Sequence, residues 1–483
     1  MIMCIRLAPE SRFRCAPYPS YEGETMAKKK SQFVCRSCGY ETSGWMGKCP
    51  SCQEYNTFDE VVEVKSAPSD AKPALRAGWI AERGVSKLSE VSKENEPRFS
   101  SGIAELDRIL GGGFVEGSMT LVGGDPGIGK STLLMQVSGA VRTDGEILYV
   151  SGEESKSQIK MRADRLGVKR SSIVLCSQTS FEHISELISE RHPGLCIIDS
   201  IQTLYSEEIS SAPGSVSQTR EVTAGLLRIA KSLNVPIVLV GHVTKDGAIA
   251  GPRIIEHMVD TVLYFEGDGS SSLRMLRATK NRFGSTGELA FFEMTQKGLA
   301  GVENASALLL SGRPHMAPGS VITSVVEGSR AVLLEIQALM SPSSYANPQR
   351  MTQGLDKGRV SMLLAVLESK CKVGISNMDA YINVVGGMRI DETACDLAVL
   401  CAVFSSISSK ALRENTMVIG EVGLTGELRP VSDLEKRLAD ASRLGFTSCV
   451  LPGASKSAAS RLPVKMDFIY VDKLSEAIDV LFS

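Results

Sequence analysis

Between residues 98 and 302 the chain sets short, nearly unbroken apolar runs against longer stretches with apolar residues at helical spacing. The runs at 119–122, 146–150, 195–199 and 236–240 lack the alternation of a half-buried strand, so each predicts a strand covered on both faces. Leu133-Leu134-Met135-Gln136-Val137 opens a helix, and residues 219–234 predict an amphipathic one. A short helix entered through Ser101-Gly102-Ile103-Ala104-Glu105-Leu106-Asp107 is stopped by Gly111-Gly112-Gly113. Strands alternating with helices predict a parallel sheet with helices on both sides. A later strand is expected at 273–278. Beyond residue 310 the pattern changes to paired strands at 321–340 around Glu327-Gly328, and helices at 356–371, 393–406 and 433–444. Residues 61–97 are polar, with Pro and Ser, and read as a linker carrying a short docked piece around Trp79-Ile80.

Length and composition narrow the class. A chain of 483 residues, 43% apolar and 22% charged, predicts two or three soluble globular domains. No apolar run approaches the roughly 18 residues that would span a bilayer. A net charge of −2 excludes a uniformly basic nucleic-acid binder but leaves room for local basic tracks. Five of the six cysteines after residue 100 (Cys196, Cys371, Cys395, Cys401, Cys449) sit singly in apolar stretches. They read as reduced core thiols of a cytoplasmic protein. Residues 1–25 fit neither a targeting peptide nor the pattern that follows, since Pro9, Glu10, Pro17 and Pro19 interrupt the stretch around Arg6, Arg12 and Arg14. They are expected to be a disordered extension, or to be bypassed by synthesis starting at Met26.

Two motifs carry chemistry. Gly124-Asp125-Pro126-Gly127-Ile128-Gly129-Lys130-Ser131-Thr132 fits G-x-x-x-x-G-K-[ST] between a predicted strand and a predicted helix. Its backbone N–H groups and the helix N-terminus suit phosphates; Lys130 suits the β and γ phosphates of ATP, and the Ser131 hydroxyl suits Mg²⁺. Asp199, the acid closing its strand, is the expected second partner of Mg²⁺, through water. The other motif is Cys35-x-x-Cys38, ten residues, then Cys49-x-x-Cys52. Four thiolates so spaced predict a tetrahedral structural Zn²⁺ site. The rival, a redox pair, needs a single C-x-x-C in a thioredoxin-like context, which is lacking. Lys28, Lys29, Lys30 and Arg36 would either touch phosphate or form a solvated face.

This order of motifs resembles the RecA-like ATPases. The resemblance implies that Glu153 orients and activates the attacking water, with Glu154 as the alternative. His242 falls where relatives carry a polar sensor, although an isolated His is equally a satisfied core group. Thr279-Lys280-Asn281-Arg282-Phe283-Gly284 sets Lys280 and Arg282 two apart at a strand end, with no obvious partner acid beside them. Such a pair suits reaching a neighbouring subunit's γ-phosphate, as an arginine finger does. The segment resembles the lysine–arginine fingers of hexameric replicative helicases. Its Lys-Asn-Arg-Phe-Gly wording, with the cysteine knuckles and phosphate loop, resembles the bacterial RadA (Sms) family of DNA-repair ATPases from Met26 onward. What the resemblance implies is a ring, expected to be a hexamer, acting on single-stranded or branched DNA beside a RecA-type recombinase and away from membranes. Residues 206–217, running into Gln218 and Arg220, and residues 245–257, with Lys245 and Arg253, are the segments expected to face DNA, or else to be solvated loops.

Gly420-Glu421-Val422-Gly423-Leu424-Thr425-Gly426-Glu427-Leu428-Arg429-Pro430 resembles the Lon protease domain, whose members use a Ser–Lys dyad. Laid against it, Ala394 takes the nucleophile position and Arg437 the lysine position. Alanine has no nucleophilic atom, arginine cannot serve as a base near neutral pH, and nearby Thr393 has no evident base. The domain is therefore expected to be proteolytically inactive and to serve oligomerisation and DNA binding, with Asn347, Arg350, Lys357 and Arg359 as candidate surface groups. The expected fold class is α/β: a 1–25 extension, a zinc ribbon at 26–60, a linker at 61–97, a RecA-like parallel-sheet ATPase core at 98–302 and a Lon-protease-like α+β domain at 310–483. The expected function is a DNA-dependent ATPase driving branch migration or strand unwinding in recombinational repair. The alternative is an ATP-switched, zinc-bearing DNA-binding scaffold; an ATP-dependent Lon-type protease is disfavoured.

Overall fold

A computed structural model describes residues 31–35, 41–50, 53–62, 97–242, 255–267, 272–344 and 347–482. The chain forms two units, one of residues 1–35 and 40–85, the other of 36–39 and 86–483. In the first, β1 (Ser31–Cys35) pairs antiparallel with both β2 (Glu41–Thr42) and β3 (Phe58–Val62). Val61 and Val62, expected in the linker, extend β3 because their partners on β1 are Gln32 and Ser31. Trp45 is exposed. Cys38, Cys52, Trp79-Ile80 and residues 1–25 lie outside the described residues.

The second unit is built on two sheets. A short hairpin of β4 (Arg98–Phe99) and β5 (Phe114–Val115) brackets α1 (Ala104–Leu110). Then follow β6 (Met119–Gly123), α2 (Lys130–Ala140), β7 (Ile147–Ser151), α3 (Lys156–Arg165), β8 (Ile173–Cys176) and α4 (Phe181–Arg191). The layer is completed by β9 (Leu195–Asp199), α5 (Val216–Leu233), β10 (Ile237–Val240), β11 (Thr261–Glu266), β12 (Leu273–Asn281), β13 (Leu289–Thr295) and β14 (Gly298–Gly301). The sheet order is β14-β13-β12-β11-β6-β10-β9-β7-β8; it is parallel from β11 to β8 and antiparallel from β11 to β14. Helix ends follow local chemistry. Ser155, Ser180 and Ser215 cap α3, α4 and α5 by accepting backbone N–H bonds, and Asn234 ends α5 in the left-handed region.

The second sheet holds β15 (Ser320–Glu327), β16 (Arg330–Pro342), β17 (Arg350–Gln353), β18 (Met378–Val384), β19 (Thr416–Val418), β22 (Ser448–Pro452) and β23 (Asp467–Val471), in the order β17-β18-β16-β15-β19-β22-β23. β20 (Glu421–Val422) and β21 (Leu428–Arg429) form a separate hairpin. Helices Lys357–Cys371, Asp396–Ser408, Leu434–Arg443 and Leu474–Phe482 complete this part. The helix expected from Thr393 begins instead as a single 3₁₀ turn, Thr393–Cys395.

One apolar core crosses from the first sheet to the second. Along β12, Leu273 and Met275 join the core of the second sheet, whereas Leu276 and Ala278 face the core of the first. On β13, Leu289 and Phe291 divide from Ala290 and Phe292 in the same way. Strands with two apolar faces need cover on both, and here the second sheet's domain supplies one cover. Cys196, Cys395, Cys401 and Cys449 are buried thiols, Cys371 is half-buried, and none forms a disulfide. Burial pushes the Cys395 thiol up to about 12. No described helix is long and apolar enough to cross a membrane.

Candidate nucleotide site

The parallel strands end along one edge in Gly123, Ser151, Asp199 and Val240, and the expected ATP groups stand on or just beyond those ends. Gly129, at φ +123°, turns the loop into α2 in a conformation closed to other residues. Ser131 and Thr132 are half-buried at the start of α2, and Ile128 is buried beneath the loop. The Lys130 ammonium, almost fully buried, donates to the carbonyls of Gly124 (2.7 Å) and Asp125 (3.0 Å) and lies 3.4 Å from His242 Nδ1. Burial lowers its pKa, opposed by Asp199, Glu153 and Asp125. These carbonyl bonds are ones that phosphate oxygens can replace.

Glu153 and His242 are linked directly. His242 Nε2 lies 3.0 Å from Glu153 Oε1, which also accepts the Ser200 hydroxyl at 2.5 Å. Glu154 is committed elsewhere, to an ion pair with Arg162. Of the two acids, then, Glu153 faces the phosphate loop's lysine. Buried Asp199 accepts the Tyr149 hydroxyl at 2.9 Å. Burial, and then Asp199, raise the Tyr149 pKa well above its ordinary value, so the phenol stays a donor. Ser131 and Asp199 are hard oxygen donors at a helix start and a strand end, a set that fits Mg²⁺. Ser200 and Tyr149 were not read from the sequence; the one visible signal was their place at strands ending in acids.

Arg282 stands at the other edge, and Lys280, paired with Val262 beside Leu121, lies midway along the strands. β12 runs on to Asn281, past the expected end, with a bulge that skips Thr279 between the pairings of Val262 and Leu263. Lys280 donates to the carbonyls of Glu256 (2.8 Å) and His257 (3.1 Å), and burial followed by Arg282 lowers its pKa. Arg282, half exposed, pairs with Asp260 at 3.3 Å. This corrects the reading that the pair has no acid beside it: Asp260 is distant in sequence, and the antiparallel return of β12 brings it close. Asp260 N bonds Met119 O, at the start of β6, whereas the phosphate loop leaves the end of that strand. At about 3.3 Å per residue the two edges are roughly 13 Å apart.

Of the DNA candidates, Arg220 is exposed on the first turns of α5, while Lys245 and Arg253 lie outside the described residues. The 206–217 segment is pinned. The carboxamide of buried Gln218 accepts from Ser206 N (2.8 Å) and donates to the carbonyls of Ser206, Ile209 and Ser211. In the second domain, Arg350 donates to the carbonyls of Gln349, Met378 and Ile375, and Arg359 pairs with Asp396. Those two guanidiniums are half-buried and engaged by these partners. Ala394 is buried. Arg437, fully buried, makes a bidentate pair with Glu392 (2.9 and 2.7 Å) and donates to the Ser324 and Ser432 carbonyls. Thr393 does have a neighbouring carboxylate, since its hydroxyl donates to Glu421 at 2.6 Å, a contact the sequence reading missed. In the first unit, Cys35 and Cys49 are both fully buried, and the Cys49 carbonyl accepts Gln53 N in a tight turn. A pair of buried thiols beside such a knuckle is the donor chemistry zinc requires.

Residues 33–60 match the family model described as a rubredoxin metal binding domain, 86–248 that of an AAA domain, and 357–455 that of subunit ChlI of Mg-chelatase. A crystal structure of the RadB recombinase matches 42% of this chain and 99% of its own, at 26% identity and a TM-score of 0.33. Fold and site together define an ATPase with a RecA-like core, preceded by a zinc ribbon and followed by a Lon-like domain. The chain is 48% identical over 454 residues to the DNA repair protein RadA of Bacillus subtilis, covering 94% of this chain and 99% of that protein. It is 47% identical to the DNA repair protein RadA of Pseudomonas aeruginosa, covering 95% and 100%. The chain belongs to the RadA family.

Proposed function

We propose that this protein is a DNA-dependent ATPase of recombinational DNA repair that assembles as a ring and drives branch migration or strand unwinding, with each ATP held at a subunit boundary. The observation that carries the shared site is the edge separation: Arg282 stands about 13 Å along the strands from its own phosphate loop, and Lys280, whose backbone is level with Leu121, bonds its ammonium to the Glu256 and His257 carbonyls ahead of β11 rather than to that loop. They are badly placed for their own nucleotide and suited to a neighbour's. In each subunit Lys130 leaves the Gly124 and Asp125 carbonyls for phosphate oxygens. Mg²⁺, held by Ser131 and by Asp199 through water, would supply charge neutralisation at the β and γ phosphates. Glu153 orients the attacking water, with Ser200 and His242 steadying its carboxylate. His242 precedes the 243–254 segment, so DNA held by Lys245 and Arg253, with Arg220 on α5, can be felt at Glu153. A cleft beside Thr132, lined by Arg165, Met294 and Gln296, leaves room for the nucleoside. Zn²⁺ on Cys35, Cys38, Cys49 and Cys52 holds the ribbon. The repair role is supported by the name its RadA relatives carry.

The test is complementation between dead subunits. Arg282→Ala alone should keep ATP affinity and assembly yet lose DNA-stimulated turnover by roughly 10³-fold, the usual worth of a finger. Mixed with Lys130→Ala subunits it should regain turnover, because some boundaries then pair an intact phosphate loop with an intact Arg282. Co-assembled mixtures that stay as inactive as either parent at every ratio would remove the shared site.

A further inference from the structure

The turn between β15 and β16, Glu327-Gly328-Ser329-Arg330, fits against the ATPase core through every one of its residues. Glu327 pairs with Arg277 of β12, which also pairs with Glu266 of β11 at 2.7 Å. Ser329 donates its backbone N–H (2.8 Å) and hydroxyl (2.9 Å) to the Glu288 carboxylate, which in turn binds Arg108 of α1 at 2.7 Å. Arg330 makes a bidentate pair with Glu105 of α1, at 3.0 and 3.2 Å. Gly328 sits at φ +59°, and a Cβ there would lie 2.8 Å from the Glu288 Cα, so the turn must be glycine to approach this closely. The charges are reciprocal, an acid of the turn on a base of the core and a base of the turn on an acid of the core.

What the turn grips is specific. Arg277 lies on β12, and Glu288 immediately precedes β13. These are the two arms of the hairpin whose β12 end and connecting loop carry Lys280 and Arg282. The outward faces of both arms, Leu273 and Met275 on one and Leu289 and Phe291 on the other, share the second domain's apolar core. From behind, Val326 N donates to Glu392, the carboxylate paired with Arg437, so the turn is braced at the site of the lost protease dyad. We infer that this turn is a plug through which the C-terminal domain holds the cation-bearing hairpin in position, with Arg277 and Glu288 as its positioning residues. Movement of that domain is thereby passed to the reach of Lys280 and Arg282. The inference rests on the shared-site reading above.

The test uses the full chain, with Glu327→Gln and Arg330→Gln combined so that nothing in the ATPase core is changed. DNA-stimulated kcat should fall by about 10²-fold, the order of loss that a 1 Å misplacement brings, with KM for ATP within about twofold of wild type. In mixed assemblies this variant should be rescued by Lys130→Ala subunits and not by Arg282→Ala subunits, because its phosphate loop is intact and its finger is displaced. Should it fail to assemble, Arg277→Met gives the same reading, with Arg277→Lys retaining most activity. Wild-type kcat in both variants, or rescue by Arg282→Ala subunits, would overturn the plug. Failure of the reference mixture of Lys130→Ala with Arg282→Ala would instead strike the shared site on which the plug depends.

Discussion

At the scale of single residues, Arg437 shows how a buried charge becomes a structural tie. A guanidinium in the place of a lysine cannot lose its proton, and burial then demands a partner. Glu392 meets it with both oxygens, and the Ser324 and Ser432 carbonyls take further donors. Arg437→Ala strands a carboxylate and two carbonyls. Breaking a buried pair costs about 3–5 kcal/mol, and the partial exposure of Glu392 places this loss near the lower figure. Calorimetry should therefore show the transition that the two sheets share moving to lower temperature, with Arg437→Leu combined with Glu392→Leu recovering much of the loss; an unmoved transition would show that the pair is not what holds this region.

At the scale of elements, the 206–215 segment separates composition from structure. Its Ser and Gly content reads equally as a mobile loop, yet Gln218, on the first turn of α5, bonds its backbone four times. Each such bond contributes about 1 kcal/mol. Gln218→Ala should leave ATP affinity intact while amide exchange across 206–211 quickens by roughly tenfold or more, since each 1.4 kcal/mol is a factor of ten. Unchanged exchange would mean the loop holds its shape without the carboxamide. The same scale explains β12. Its expected end at Ala278 follows apolar content, but pairing with β11 carries it to Asn281 through a bulge.

For the whole molecule, the first unit is marked by which of its described residues are buried. They are Cys35, Cys49 and Phe58, two of them thiols of the four-cysteine set. One zinc per chain is expected by metal analysis. Chelation, or Cys38→Ala, should unfold the ribbon while the ATPase core keeps its own thermal transition. Zinc-free protein with a folded ribbon would contradict this. The second unit behaves oppositely, because its two sheets share a core through β12 and β13 and so form one cooperative body.

What the sequence determined by itself was whatever depends on neighbours along the chain. The phosphate loop between strand and helix, the acids just beyond β7 and closing β9, and the cysteine spacing were all legible. Their chemistry resides in residue type and short spacing. The tertiary structure alone decided what depends on distant segments meeting. Asp260 reaches Arg282, Glu421 reaches Thr393, His242 reaches Glu153, and Glu327 reaches Arg277, each across 20 or more positions. It also decided that Arg282 stands on the edge away from its own phosphate loop, with the Lys280 ammonium bonded to the segment ahead of β11. That follows from β11 running parallel to β6 while β12 returns antiparallel, and strand pairing of this kind is set by the burial of whole faces rather than by any local pattern.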